Sequence, residues 1–180
     1  MNTPAIAMMT KTLISLLLTL YTLQTQAREE IRTLPLAVDM QKTASIAQKH
    51  KVPIVIFVTA SWCHFCHRLK DNIINPLIIK TNLENYAEFR EVILDKHGWR
   101  LKNFDGRLIE MPQFAKATLK TTFTPTTLFL DANGNTIADP IVGLTLEEHY
   151  PHYLEEGINH SLKKLGNSHQ LDINNLMFNQ

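Results

Sequence analysis

Two cysteines in a chain of 180 residues are too few, and too close together, to staple a fold. Cys63 and Cys66 close a loop that barely constrains an unfolded chain, whereas exported domains held by disulfides carry cysteines far apart. This pair is therefore read as chemistry. Charge of one sign is also missing: 18 basic side chains stand against 17 acidic ones. With no basic stripe and no aromatic–basic interleaving, nucleic acid and other polyanions are not expected as partners. A long apolar run is lacking too, because Leu13–Tyr21 is too short to span a bilayer comfortably. No internal repeat is present, which removes solenoid and array architectures.

The N-terminus holds a segment read as lying outside the fold. Lys11 is the only charge in the first 27 residues, an apolar stretch follows it, and Thr25-Gln26-Ala27 offers small residues at a cleavage site. Residues 1–27 are expected to be a cleaved secretory signal peptide, which places the mature chain in the periplasm; an uncleaved anchor is the alternative. The absence of cysteine near the cleavage point argues against a lipid-anchored form. Without Lys11 the chain is formally neutral. Residues 28–180 are about the size of one domain with one core.

Arg28–Val38 is a short lead-in without a clear pattern. Asp39 is a candidate N-cap for a helix to about Lys49, with Met40, Ala44 and Ala47 facing inward. Ile54–Val58 is a β-branched apolar run that predicts a buried strand. Past Cys63 the period changes: Cys66, Leu69 and Ile73 share one helical face, while Cys63, His67 and Lys70 lie on another. Asn75-Pro76 predicts a restart, with Asn75 as N-cap of a second helical piece, Leu77–Asn85. Glu88–Asp95 is a strand candidate parallel to the first, since a helical crossover separates them.

Lys96–Glu110 is either an irregular excursion or a small hairpin turning at Asp105-Gly106. Pro112–Leu119 suits a short helix. A strand entered through Pro125 follows, then Asn133-Gly134 as a two-residue hairpin turn and a second strand, Thr136–Ile141. Thr145-x-x-Glu148 is a capping-box pattern, Pro151 splits or restarts the closing helix, and Leu154, Ile158, Leu162 and Leu165 give that helix its apolar stripe. Residues 166–180, polar and Asn-rich, are expected to be a flexible tail.

This order resembles the thioredoxin-like fold over roughly Asp39–Leu165: an α/β domain (39–165) with a central mixed β-sheet flanked by helices. Trp62-Cys63-His64-Phe65-Cys66, Phe104-Asp105-Gly106, Phe123-Thr124-Pro125-Thr126-Thr127 and Gly143-Leu144 are similar to exported bacterial thioredoxin-like proteins of the SoxW type. The C-terminal domain of the electron carrier DsbD is a more distant likeness. The resemblance implies a thiol–disulfide oxidoreductase with a redox-active Cys63–Cys66 disulfide and no other cofactor. Its implied partners are client proteins bearing cysteines or disulfides and a membrane electron donor of the DsbD type. A monomer is expected, and the lack of a preceding dimerisation domain disfavours a dimeric DsbC-like isomerase.

In this reading Cys63, at a helix N-terminus, is the attacking thiolate and Cys66 resolves the mixed disulfide. His64, when protonated, favours the thiolate and makes the disulfide a better oxidant. Trp62 shields the disulfide and offers a flat apolar surface to substrates. His67 reads first as a solvated helix residue. The resemblance implies that Pro125 is cis and that the Thr124 backbone pairs with an extended client segment. The likeness leans toward a reductase, whereas the oxidising compartment and His64 push the other way. One departure stands out: many cytosolic thioredoxins carry a buried acid six residues before the first cysteine, and here that position is Phe57. Proton transfer at Cys66 then needs His64, His67 or water.

Two rivals belong to other classes. Cys63-x-x-Cys66-His67 satisfies the covalent haem attachment pattern, which would make the chain an electron carrier, but it follows a buried strand and is matched by a Thr-Pro strand downstream. A non-catalytic binding module on the same fold is the other. His149, His152, Glu156 and His160 imitate a metal set near the closing helix; Pro151 disturbs their register, a solvated surface is the simpler reading, and no metal site is assigned.

Overall fold

The structure, a computed structural model, describes residues 33–144 and 146–178. The signal-peptide reading of residues 1–27 and the first five residues of the lead-in, 28–32, lie outside these residues, as does Thr145 of the capping-box pattern. Among the described residues no helix is long and apolar enough to cross a membrane.

A four-stranded sheet, ordered β2-β1-β5-β6, forms the centre. Strand β1 (Ile54–Thr59) pairs in parallel with β2 (Glu88–Ile93) and antiparallel with β5 (Thr126–Leu130). Strand β6 (Thr136–Val142) closes the edge antiparallel to β5. Every residue of β1 is buried, so both faces of the sheet are covered at its middle. That explains why its sequence runs continuously apolar instead of alternating. The result is the expected mixed sheet flanked by helices.

Helix α1 (Met40–His50) begins where the sequence placed it, with the Asp39 carboxylate accepting from the Lys42 N–H. The long helical run after β1 departs from expectation. Helix α2 (His64–Leu69) passes through one wide π turn (Lys70–Ile74) directly into α3 (Asn75–Lys80). Asn75 is no N-cap: its N–H reaches the Lys70 carbonyl, and its side-chain oxygen accepts from the Leu34 N–H at 3.1 Å. The physical reason is Pro76. Its ring would collide with the carbonyl four residues back, and widening the preceding turn accommodates it without breaking the rod. The second piece ends at Lys80, and only a short 3₁₀ turn, Leu83–Asn85, follows.

The 96–110 segment is a small hairpin, β3 (Arg100–Lys102) against β4 (Leu108–Glu110), its turn held by Asn103 Oδ1 accepting from the Asp105 and Arg107 N–H groups. Helix α4 (Met111–Ala117) follows with Pro112 in its first turn. The β5–β6 connection is not a two-residue turn. Asp131 pairs with Asn135, the Gly134 N–H donates to the Asp131 carbonyl, and only Gly134 has a positive φ, +82°. A two-residue type I′ turn would need Asn133 at positive φ as well. Asp131 prevents that, because its carboxylate accepts from the Asn133 and Asn135 N–H groups and shapes a three-residue loop instead.

Helix α5 (Tyr150–Lys164) starts after a 3₁₀ turn, Glu147–His149, and has no side-chain cap. Pro151 lies in its first turn, where a missing N–H costs nothing, so the helix is not split. Leu154, Ile158 and Leu162 are fully buried along its stripe. The expected flexible tail is instead tied down. Leu171 exchanges two hydrogen bonds with the Asn159 side chain, Glu155 accepts from the Ile173 N–H, and Leu171 and Ile173 are buried. Helix α6 (Ile173–Phe178) continues from there. Composition hides this because two apolar residues suffice when the Asn159 and Asn167 side chains find backbone partners.

Candidate active site

Strand β1 ends at Thr59, and the chain turns through Ala60, Ser61 and Trp62 to Cys63. The turn is pinned by Asp95, just past β2: its carboxylate accepts from the Ser61 N–H at 2.9 Å and from the Ser61 hydroxyl. Those two donors hold the Asp95 carboxyl below its ordinary value, the hydroxyl contributing most. Sequence reading missed this anchor, since nothing local links positions 34 residues apart.

Cys63 is the N-cap of α2, and Cys63 and Cys66 are joined as a disulfide. The Cys66 N–H points at Cys63 Sγ at 3.2 Å. A helix start therefore presents free N–H groups and the positive end of its dipole to the Cys63 sulfur, which is where a thiolate is stabilised. Cys63 and Cys66 cluster with Ala60, and Leu94 packs against that cluster; Cys66 is fully buried and Cys63 is 5 % exposed. The helix wheel thus placed Cys66, Leu69 and Ile73 on the inward face correctly.

Large apolar side chains beside the cysteines and beside Pro125 in the chain are exposed. Trp62 is 71 % exposed, and Phe65 and Phe123 also stand in solvent. Phe123 precedes Thr124 and Pro125, whose peptide bond is cis. Val58 faces Thr126 across the β1–β5 pairing, so continuing that register puts Pro125 opposite Thr59, at the strand end that leads into the cysteine turn. Pro125 is buried and its carbonyl accepts from the Gly143 N–H at 2.8 Å. Thr124 is half-buried, and its backbone N–H and carbonyl make no hydrogen bond among the described residues.

His64 is exposed, its ring set edge-on to Phe65. His67 is exposed too, but its Nε2 lies 2.8 Å from the Ser61 carbonyl, so it braces the same turn as Asp95. Glu147 reaches α2 from the loop after β6, accepting from Arg68 and from Asn72. Lys70, placed by the wheel on a different face from Cys66, Leu69 and Ile73, reaches Glu91 on β2 at 2.8 Å. Among the described residues no group of three potential ligands is placed to hold a metal; His152 pairs with Glu156 at 3.4 Å on the outside of α5.

A buried parallel–antiparallel strand set whose middle strand delivers a paired-cysteine turn to a helix start, facing a proline loop, defines the thioredoxin-like class. Residues 40–158 match the model of the thioredoxin-like domain, and the chain belongs to that family. Among solved structures it is similar to a DsbH oxidoreductase (19 % identity, 74 % of this chain and 91 % of that one, TM-score 0.47). Spinach chloroplast thioredoxin f, short form, is similar at 15 % identity over 72 % and 97 %, TM-score 0.47. Thioredoxin from Trypanosoma brucei brucei is similar at 16 % identity over 76 % and 98 %, TM-score 0.42. No match was found among curated proteins.

Proposed function

We propose that this chain is an exported thiol–disulfide oxidoreductase that reduces disulfides in client proteins of the periplasm. The observation that carries the reading is the Cys63–Cys66 disulfide with Cys63 capping the helix. In the reduced protein the Cys63 thiolate attacks a client disulfide, one client sulfur leaves as a thiolate, and Cys66 then displaces the client from Cys63. Two electrons pass to the client and the disulfide is restored. The uncommitted backbone of Thr124 suits pairing with an extended client segment, and Trp62, Phe65 and Phe123 suit its apolar side chains. His64 tunes the thiolate; His67, through the Ser61 carbonyl, is better cast as a brace. In this proposal the protein acts as a monomer of SoxW-like type and is kept reduced by a membrane donor of the DsbD type.

The haem-carrier alternative would need both sulfurs for thioether bonds and His67 as an iron ligand. Here the sulfurs bond to each other and His67 engages the Ser61 carbonyl, which supports the exchange reading.

Three measurements test it. Purified protein should reduce insulin disulfides, and Cys63→Ser should abolish this; no reduction by the parent would leave a non-catalytic binding module, and reduction unaffected by the change would overturn Cys63 as the nucleophile. Cys66→Ser should accumulate mixed disulfides with clients and Cys63→Ser should not. Direction is read from the reduction potential: about −270 mV marks a reductase, and about −120 mV an oxidant.

A further inference from the structure

Opening the disulfide creates a problem that the active-site turn does not solve. Cys66 is fully buried, so its sulfur must hold a proton in the dithiol state and give it up before it can attack. The residue six positions before Cys63 is Phe57, which can take no proton. The structure holds a carboxylate on the next strand. Phe57 on β1 faces Glu91 on β2 in the parallel register, so both side chains lie on one face of the sheet. Glu91 is 5 % exposed and is the only charged residue among the buried ones described.

Its two partners mark where it points. Glu91 Oε1 accepts from the Thr59 hydroxyl at 2.6 Å and from Lys70 Nζ at 2.8 Å. Thr59 is the last residue of β1, immediately before the cysteine turn. Lys70 is four residues after Cys66, one helical turn along, and its N–H donates to the Cys66 carbonyl. The carboxylate therefore sits beneath the helical run that carries Cys66. A buried ion pair gains little over an apolar packing of the same volume, so its presence asks for a reason other than stability.

We propose that Glu91 is the proton acceptor and donor for Cys66, with the Thr59 hydroxyl as the relay and Lys70 as the counter-charge. This inference rests on the proposed exchange chemistry at Cys63 and Cys66. When a mixed disulfide forms at Cys63, the Cys66 S–H proton passes through Thr59 to the Glu91 carboxylate. The Cys66 thiolate attacks the Cys63 sulfur, the partner's sulfur leaves with the electron pair, and the Glu91 proton follows it. Lys70 Nζ, 2.8 Å from that carboxylate, supplies the opposite charge beside it. The other charged groups on the surrounding elements are directed elsewhere. Arg90, one residue before Glu91, faces the opposite side of the sheet and bonds Glu88 and Thr43. Tyr150 of α5 bonds Thr127 two strands away, His67 bonds Ser61, and Asp71 on the π turn is exposed.

The test uses the reduced full chain and a small aromatic disulfide that releases a coloured thiolate. Stopped-flow mixing gives two bursts: the first from attack by Cys63, the second from closure by Cys66. Glu91→Gln, which keeps the shape and both partners, should leave the first burst unchanged. It should slow the second by at least about tenfold near neutral pH, with a rate that then climbs with hydroxide. Thr59→Val should slow the second burst likewise, and Glu91→Asp should recover part of the rate. If Glu91→Gln does not fold, Thr59→Val decides. Closure in both variants at the parental rate and pH profile overturns the proposal, and so does equal slowing of both bursts. The probe needs no client, so inactivity on insulin with a normal second burst would sink the client-reductase reading while leaving the proton route standing.

Discussion

Gly157 lies on α5 directly over Phe129 of β5, and replacing it by alanine should cost the protein about 2 kcal/mol or more. A Cβ at that position would fall 2.2, 2.5 and 2.6 Å from three ring atoms of Phe129, where ordinary contact begins at 3.4 Å. The ring must therefore give way by more than an ångström, and it has nowhere to go. Phe129 is fully buried, with Val55 opposite it on β1 and Ala138 opposite it on β6. Overpacking of this kind costs about 1–3 kcal/mol, occasionally more, and a ring fixed on both sides belongs at the upper end. Against that, alanine gains about 1 kcal/mol over glycine inside a helix. A net loss of about 2 kcal/mol corresponds to a drop in Tm of about 4–8 °C for a chain of this size. Urea unfolding followed by circular dichroism measures it, with an unchanged slope showing that only stability moved. Phe129→Leu in the same chain should rescue part of the loss, giving a coupling between the two sites. A Gly157→Ala protein as stable as its parent, or one showing no coupling to Phe129, would refute the reasoning. Because β5 also carries Pro125 toward the disulfide, the same variant should slow exchange if the strand shifts.

Tyr150→Phe leaves the fully buried Thr127 hydroxyl without the 2.5 Å partner it has now, and should cost about 1–3 kcal/mol by denaturant unfolding. The phenol itself should not titrate in the ordinary range, since burial pushes it upward. Asp95 has a native value held below its ordinary 3.8 by the Ser61 hydroxyl and N–H. A depressed carboxylate contributes stability above its unfolded value and loses it as the pH falls through the native one. Thermal melts of the parent should therefore lose stability below about pH 4 more steeply than those of Asp95→Asn; superimposable curves would count against the anchor. Leu171→Ala should cost about 2–5 kcal/mol because the side chain is buried, where a residue in a loose tail would cost nothing measurable.

Much of this protein was written locally. The Asp39 cap, the apolar run of β1, the change of period at Cys63 and the stripe Leu154, Ile158, Leu162 are short-range patterns, and they gave the α/β order and the disulfide at the helix start. Three local readings went wrong where a neighbour outvoted the motif: Pro76 widened a helical turn instead of restarting it, Asp131 enlarged the loop at Asn133-Gly134, and Asn159 with Glu155 bound a segment whose composition looked loose. What tertiary structure alone decided is which charge is buried beside the end of β1 and the active-site helix. Glu91 is 25 residues downstream of Cys66 and reads as one charge in a strand; only the β1–β2 register sets it beside Phe57, and only the packing of the helix on the sheet brings Lys70 to it. Sequence specifies the chemistry that neighbours in the chain can share, while pairing register and helix packing fix the distances between groups far apart along it.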